Sequence, residues 1–269
     1  MALLYRSPAK INLFLKIVKK RADGYHNIQS IFQLIDLYDE ITFVKRKDSL
    51  IKLKCDNKEI EKDNLINTAI DHFLEFTQVK KIGMDIYLKK NIPIGGGLGG
   101  GSSNAATCLL ALNNLYNTKL KLIHLKNIAK NIGSDVPFFL YKKNAWVEGT
   151  GDIITPIYLK PSWFVVIFSK YNISTTEVFL SYQNKIQIEE FSYDDYLKNN
   201  TRNDFENIVF KKYPSIFKSY KYLSKFGKAR MTGTGGTVFL PQSSLQDAIK
   251  VISSLPKKEN ALIIKSVDT

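Results

Sequence analysis

The segment PIGGGLGGGSSNAA, residues 93–106, sets six glycines in seven positions, broken only by Leu98, in a chain with 15 glycines among 269 residues. Glycine lets a backbone approach a ligand closely and turn through positive φ. If such a loop opens a helix, the unpaired N–H groups of the first turn and the helix dipole favour a bound anion, most often phosphate. The flanks supply that setting. Before the loop, MDIYLKKNIP alternates Met84, Ile86 and Leu88 with Asp85 and Tyr87, the period of a strand. After it, Ala105, Cys108, Leu109, Leu112 and Tyr116 recur at the spacing of one helix face, and Ser102 or Ser103 is the expected cap. A flexible linker would not join a strand directly to an amphipathic helix.

Known phosphate loops fit poorly. A Walker A loop needs Gly-Lys-Ser/Thr at its end, and here Gly101 runs into Ser102 without a lysine. A protein-kinase glycine loop bridges two strands, whereas this one opens a helix. A dinucleotide fingerprint needs an acidic residue ending a second strand about 20 residues on, and LYNTKLKLIHL reads as a loop and another helix.

Other residues carry possible chemistry. Asp135 in GSDVPFF stands at a predicted helix start, either as a cap or as a proton acceptor. Lys10 in SPAKINLFL is either a surface charge at a strand edge or an electrostatic group. Tyr25 and His26 follow an Asp23-Gly24 turn, and read by themselves as a hairpin arm with an aromatic packed on it. Cys55 and Cys108 have no metal or redox spacing, and Cys108 falls on the apolar helix face as a buried thiol. His26, His72 and His124 are far apart in sequence, which argues against zinc.

The elements that must carry these residues follow from periodicity. Strands are expected at 11–18, 28–36, 40–46, 50–55 and 84–88. A helix is expected at 63–76, with Asp63 as N-cap and Ile66, Ala69, Ile70 and Phe73 on its buried face. A further helix runs to Gly133, a short one begins at SDVPFFLY, and NAWVEGTGDIITPI gives two short strands. The pattern restarts near residue 160. WFVVIFS is a buried strand. Helices are expected near 175–184, 203–213 and 214–226. KARMTGTGGTVFLP forms two strands around a glycine turn. SSLQDAIKVISSL is a helix facing inward through Leu245, Ala248, Ile249 and Ile252, and NALIIKSV is a last strand. Two α+β domains are expected, 1–159 and 160–269.

The net charge of +14 and pI of about 9.5 suit an anionic partner. Only five of the 39 basic residues are arginine, which weakens a nucleic-acid reading, and the lysines are spread along the chain. No stretch approaches the ~20 apolar residues of a membrane span, and the charged N-terminal segment is no signal peptide. A soluble cytoplasmic protein with no membrane partner is expected.

Taken in order, SPAKINLFL, RADGYHNIQSIF, PIGGGLGGGSSNAA, IGSDVPFF and RMTGTGGTVF resemble the GHMP kinase superfamily, named for galactose, homoserine, mevalonate and phosphomevalonate kinases. The resemblance covers nearly the whole chain. It implies a two-domain α+β fold, an ATP-binding α/β domain followed by a smaller ferredoxin-like α+β domain. It also implies ATP and Mg²⁺ as cofactors. ATP phosphates would lie on Pro93, Gly95, Gly96, Gly97, Leu98, Gly99, Gly100, Gly101, Ser102 and Ser103, with Asn64 a nucleotide contact or simply a helix starter. Asp135 and Lys10 would be catalytic. GYH further resembles the branch serving the non-mevalonate route to isoprenoids, whose substrate carries a cytidine diphosphate group. In that branch Tyr25 and Phe179 would stack on cytosine, His26 would bond its edge, and Asn12, Thr150 and Thr175 would line the substrate. Ser102 or Ser103 is the only Mg²⁺ ligand suggested, since no dedicated carboxylate pair is evident. Monomer and homodimer stay open. One departure is Gly236, where the family has Ala or Ser; a smaller residue is expected only to loosen that turn. Another GHMP kinase, or a basic RNA-binding protein, would share the loop or the charge respectively. The scarce arginine counts against RNA, and the GYH segment counts against the other kinases.

Overall fold

A computed structural model describes residues 2–62, 64–182, 191–198 and 201–267. Its contacts divide the chain into two units: 1–9, 37–92 and 99–142 form the first, and 10–36, 93–98 and 143–269 the second. Two long strands, β1 (Ala2–Lys20) and β2 (His26–Lys45), pair with one another and run through both. The two segments expected at 28–36 and 40–46 are therefore one strand. Leu37, Tyr38 and Asp39 between them keep extended backbone despite their mixed polarity.

In the first unit, the later half of β2 pairs antiparallel with β4 (Met84–Lys89), Ile41 opposite Leu88 and Phe43 opposite Ile86. β3 (Ile51–Cys55) lies parallel on the other side of β4. Parallel neighbours need a crossover, and α1 (Leu65–Thr77) supplies it, burying Ile66, Ala69, Ile70 and Phe73 as the periodicity predicts. Its N-cap is Asn64, whose Oδ1 accepts from Ile66 N at 3.0 Å. Asp63, the expected cap, lies outside the described residues.

α2 (Gly100–Leu115) packs against α1, α3 (Leu122–Lys130) and α4 (Val136–Tyr141). Surrounded in this way, it buries Ser103 to Leu109, Ala111 and Leu112, a wider surface than the single expected face. Its small residues allow the close approach. α3 stops at Lys130, with Asn131 as C-cap, ahead of the expected stop at Gly133.

The second unit holds the first half of β2, with β5 (Ala145–Glu148) and β6 (Ile153–Pro156) added as antiparallel neighbours. It also holds an antiparallel sheet in the order β10 (Ala261–Lys265), β7 (Trp163–Phe168), β9 (Thr237–Gln242), β8 (Arg230–Met231). The interior position of β7 explains its unbroken apolar run, Phe164 to Phe168 being buried. α5 (Thr175–Leu180), α6 (Tyr193–Leu197), α7 (Glu206–Lys212), α8 (Pro214–Ser224) and α9 (Leu245–Ser253) complete it. α6 was not expected; a capping box between Ser192 and Asp195 starts it. The expected helix at 175–184 ends at Leu180, and 183–184 lie outside the described residues. α9 turns Ala248 and Val251 to its sheet and leaves Leu245 and Ile249 exposed, so the inward face is rotated from the expected one. α9 packs against β7 and β10.

Candidate functional site

The glycine loop leaves β4 at Lys89 and enters α2 at Gly100. The expected serine caps are not caps. The N-cap is Gly99, at φ +71°, and the helix ladder begins with Ser103 N bonded to Gly99 O at 2.9 Å. Ser102 and Ser103 lie inside the first turn because Gly100 and Gly101 are already helical. The N–H groups of Gly100, Gly101 and Ser102 precede the ladder, which is the arrangement that receives an anion.

A buried polar network backs this turn within the first unit. Asp39, fully buried, accepts from Asn91 N and Ile92 N, each at 2.8 Å, and from Asn104 Nδ2 at 2.9 Å. Lys90 forms an ion pair with it and donates to Asn104 Oδ1 at 3.1 Å. Asn104 also donates to Ser7 Oγ at 3.0 Å, and Ser7 Oγ to Ser103 Oγ at 2.8 Å. Ser103 is thus committed to the fold, while Ser102 is half-buried. Sequence reasoning missed Asp39, Lys90, Asn104 and Ser7, because no local pattern links positions so far apart.

Asn64 uses both ends of its amide, capping α1 and donating to Ile60 O at 3.1 Å. Asp135 occupies the N-cap position of α4, but its side chain makes no capping bond, so a capping role does not explain it.

In the second unit, the loop residues Pro93 to Leu98 meet the turn between β8 and β9. Lys10 N donates to Leu98 O at 3.0 Å. Leu98 buries its side chain and can offer a ligand only its backbone. Thr232 Oγ1 accepts from Asn12 N at 2.8 Å and donates to Gly97 O at 3.3 Å. A Cβ on Gly97 would stand 2.5 Å from Thr232 O, and one on Gly236 would stand 2.4 Å from Gly95 O. Two glycine-rich segments therefore pack backbone against backbone. Gly97 answers to this contact, and a Cβ on Gly95 would meet Asn172 Oδ1 at 2.1 Å. The expectation for Gly236 is corrected: at φ +86° and hard against the loop, it fits no larger residue in this chain.

Lys10, buried on β1, donates through Nζ to Asn12 Oδ1 at 2.6 Å and stands 4.1 Å from the centre of the Phe32 ring. Asn12 Nδ2 donates to Ser30 Oγ at 2.9 Å. The turn before β2 holds Gly24 at φ +86° and leaves the Tyr25 ring 62% exposed. His26, next in sequence, is 7% exposed, its ring 5.5 Å from Phe179 and 6.2 Å from Tyr182. Burial, with Lys20 nearby, holds this imidazole below its ordinary pKa, which favours the neutral form, with one donor and one acceptor nitrogen. Phe179 packs on Phe205 at 4.7 Å as well. Thr175 is exposed, its hydroxyl 3.1 Å from that of Thr234, and Thr150 is tied to Asp152 Oδ1 through N and Oγ1, both at 3.1 Å. His26, Phe179 and Tyr182 are brought together; Thr150 sits in its own turn.

Residues 64–143 match the family model for the GHMP kinases N terminal domain, and residues 191–261 that for GHMP kinases C terminal. This chain belongs to the GHMP kinase family. Within it, the chain is 41% identical to the 4-diphosphocytidyl-2-C-methyl-D-erythritol kinase of Buchnera aphidicola subsp. Acyrthosiphon pisum (strain APS), over 97% of this chain and 94% of that protein. It is 36% identical to the protein of the same name from Aromatoleum aromaticum, over 97% of this chain and 92% of the other. The crystal structure of a 4-(cytidine 5'-diphospho)-2C-methyl-D-erythritol kinase superposes with a TM-score of 0.83 at 27% identity, covering 99% of this chain and all of that one.

Proposed function

We propose that this chain is an ATP-dependent kinase that phosphorylates the 2-hydroxyl of 4-diphosphocytidyl-2-C-methyl-D-erythritol, in the non-mevalonate route to isoprenoid precursors. Full-length similarity to relatives of that name supports the reading. The observation that carries the substrate class is the buried His26, flanked in sequence by the exposed Tyr25 and in space by Phe179. An imidazole with one donor and one acceptor suits the edge of a cytosine, and the open Tyr25 ring suits its face.

The ATP phosphates are assigned to the backbone of Pro93 and Gly95–Ser103, above all to the N–H groups ahead of the α2 ladder. Asn64 is assigned to the nucleotide through its remaining amide hydrogen. Asp135, at the start of α4, is assigned to the hydrogen of the acceptor hydroxyl. Lys10 is assigned as the cation that favours the charged acceptor oxygen. Tyr25, His26, Phe179, Asn12, Thr175 and Thr150 are assigned to the acceptor. Among the described residues no group of three or more His, Cys, Asp or Glu could hold a metal ion. That donor set fits Mg²⁺ carried mainly by the nucleotide phosphates, with the Ser102 hydroxyl as its protein oxygen. When bound, Mg²⁺ supplies charge neutralisation on the transferring phosphoryl group. The domains are assigned as 1–159 and 160–269, one family match falling in each.

Among the described residues no helix is long and apolar enough to cross a membrane. The enzyme is assigned to the cytoplasm, consistent with two free buried cysteines.

The test is ADP release from Mg-ATP, with 4-diphosphocytidyl-methylerythritol, mevalonate and homoserine offered separately. Turnover with the cytidyl substrate alone is expected. Asp135→Asn should lower its kcat about 10²–10⁴-fold. Turnover with either other acceptor sinks the cytidine assignment.

A further inference from the structure

Asp39 accepts from two backbone and two side-chain donors. Its Oδ1 takes two backbone N–H groups, Asn91 and Ile92, at the point where the chain leaves β4 for the glycine loop. Its Oδ2 takes Asn104 Nδ2, one turn into the helix that the loop enters, and pairs with Lys90. One carboxylate thus ties both roots of the loop. It also fixes where Lys90 stands: a Cβ on Gly100 would lie 3.2 Å from Lys90 Nζ, so the ammonium is held against the first residue of α2. The Lys90 side chain is 9% exposed and that of Asp39 fully buried. A desolvated pair of this kind adds little net stability over an apolar replacement. Its geometry is better explained by what it positions.

We propose that Asp39 is a positioning residue for bound nucleotide, holding the two roots of the glycine loop in register and fixing the Lys90 ammonium beside the free N–H groups of α2. This rests on the reading of the loop as a phosphate site. Asp39 itself is too deep to touch the ligand. Its effect passes through Asn91, Ile92, Asn104 and Lys90, and it should be felt in nucleotide affinity rather than in affinity for the acceptor.

Asp39→Asn tests this without a change of shape. The amide oxygen keeps the Asn91 and Ile92 bonds, while its NH₂ faces Lys90 and Asn104 and can accept from neither. ADP binding is measured by calorimetry on the full chain, beside KM for ATP, KM for the acceptor and the thermal midpoint. The expected result is a loss of about tenfold or more in ADP affinity and a matching rise in KM for ATP, from the lost charge-assisted bonds. The acceptor KM should stay within about twofold. Lys90→Met should also weaken ADP, and adding it to Asp39→Asn should cost less than the sum of the two, because they share one contact. A folded Asp39→Asn protein with wild-type ADP affinity overturns the proposal, whatever its thermal midpoint. If that variant does not fold, Asn104→Ala cuts the link to α2 while keeping both ionised groups, and wild-type ADP affinity there overturns the proposal equally. A wild-type chain that binds no ADP refutes the phosphate-loop reading itself, an outcome visible before any substitution is made.

Discussion

Gly236→Ala separates two roles of glycine that sequence alone cannot. At φ +86° an alanine pays the left-handed penalty, roughly 1–2 kcal/mol. Its Cβ would also stand 2.4 Å from Gly95 O and 2.8 Å from Gly96 Cα, atoms of a backbone that no rotamer change can move. Overpacking of this kind adds about 1–3 kcal/mol. The expected total is about 2–5 kcal/mol, a large part of the ~5–15 kcal/mol that holds a typical domain folded. Gly24→Ala is the control. Gly24 has the same φ of +86° with nothing within 4 Å of a built Cβ, so only the strain applies. Urea unfolding of both variants, at unchanged m-value, isolates the steric part as their difference. The Gly236 variant should also raise KM for ATP, because the atoms it displaces belong to the glycine loop. Equal losses for the two variants, or a Gly236→Ala protein as stable as the parent, would refute the backbone-to-backbone packing argued here.

Tyr25→Ala should raise KM for the cytidyl substrate by a stacking term of about 1–3 kcal/mol and leave kcat nearly unchanged; a kcat effect without a KM effect would count against base stacking. The lowered pKa of His26 means its neutral form carries stability that is full above the ordinary histidine value of about 6.5 and is lost as pH falls through the lowered one, so substrate KM should be flat near neutrality and rise in acid. Glu206, buried and accepting from Met231 N at 3.1 Å, has its pKa raised by burial first of all. The stability linked to its protonated form is full below the ordinary carboxyl range and is lost as pH rises through the raised value. Glu206→Gln should therefore gain on the parent in urea titrations as pH climbs from about 4 to about 7, and parallel curves would contradict that sign.

Where burial follows a short period, the sequence was a good guide. β4 alternates as expected, α1 buries the four residues its spacing picks out, and β7 shows its interior position as an unbroken apolar run. The errors lie where a distant neighbour decides. α9 keeps a helical pattern but turns Ala248 and Val251 inward, because the sheet beneath it, not the apolar count, sets its rotation. α2 starts at Gly100 rather than behind Ser102 or Ser103, since Gly100 and Gly101 are already helical and both serines fall inside the first turn. The candidate site divides the same way. Tyr25, His26, Asp135 and the glycine loop are proposed from motifs. Thr232 and Asp39 are not.

The sequence by itself determined the periodic elements, the site motifs and the family, because each is written in residues adjacent in the chain or in a recurring order. Only the tertiary structure decided what individual residues do there. Gly236 is required by a carbonyl oxygen some 140 positions earlier, at Gly95. Asp39 gains its meaning from Lys90, Asn91, Ile92 and Asn104. The physical reason is range. Hydrogen bonds and steric contacts act over a few ångströms of space, and folding, not chain order, brings those atoms within reach.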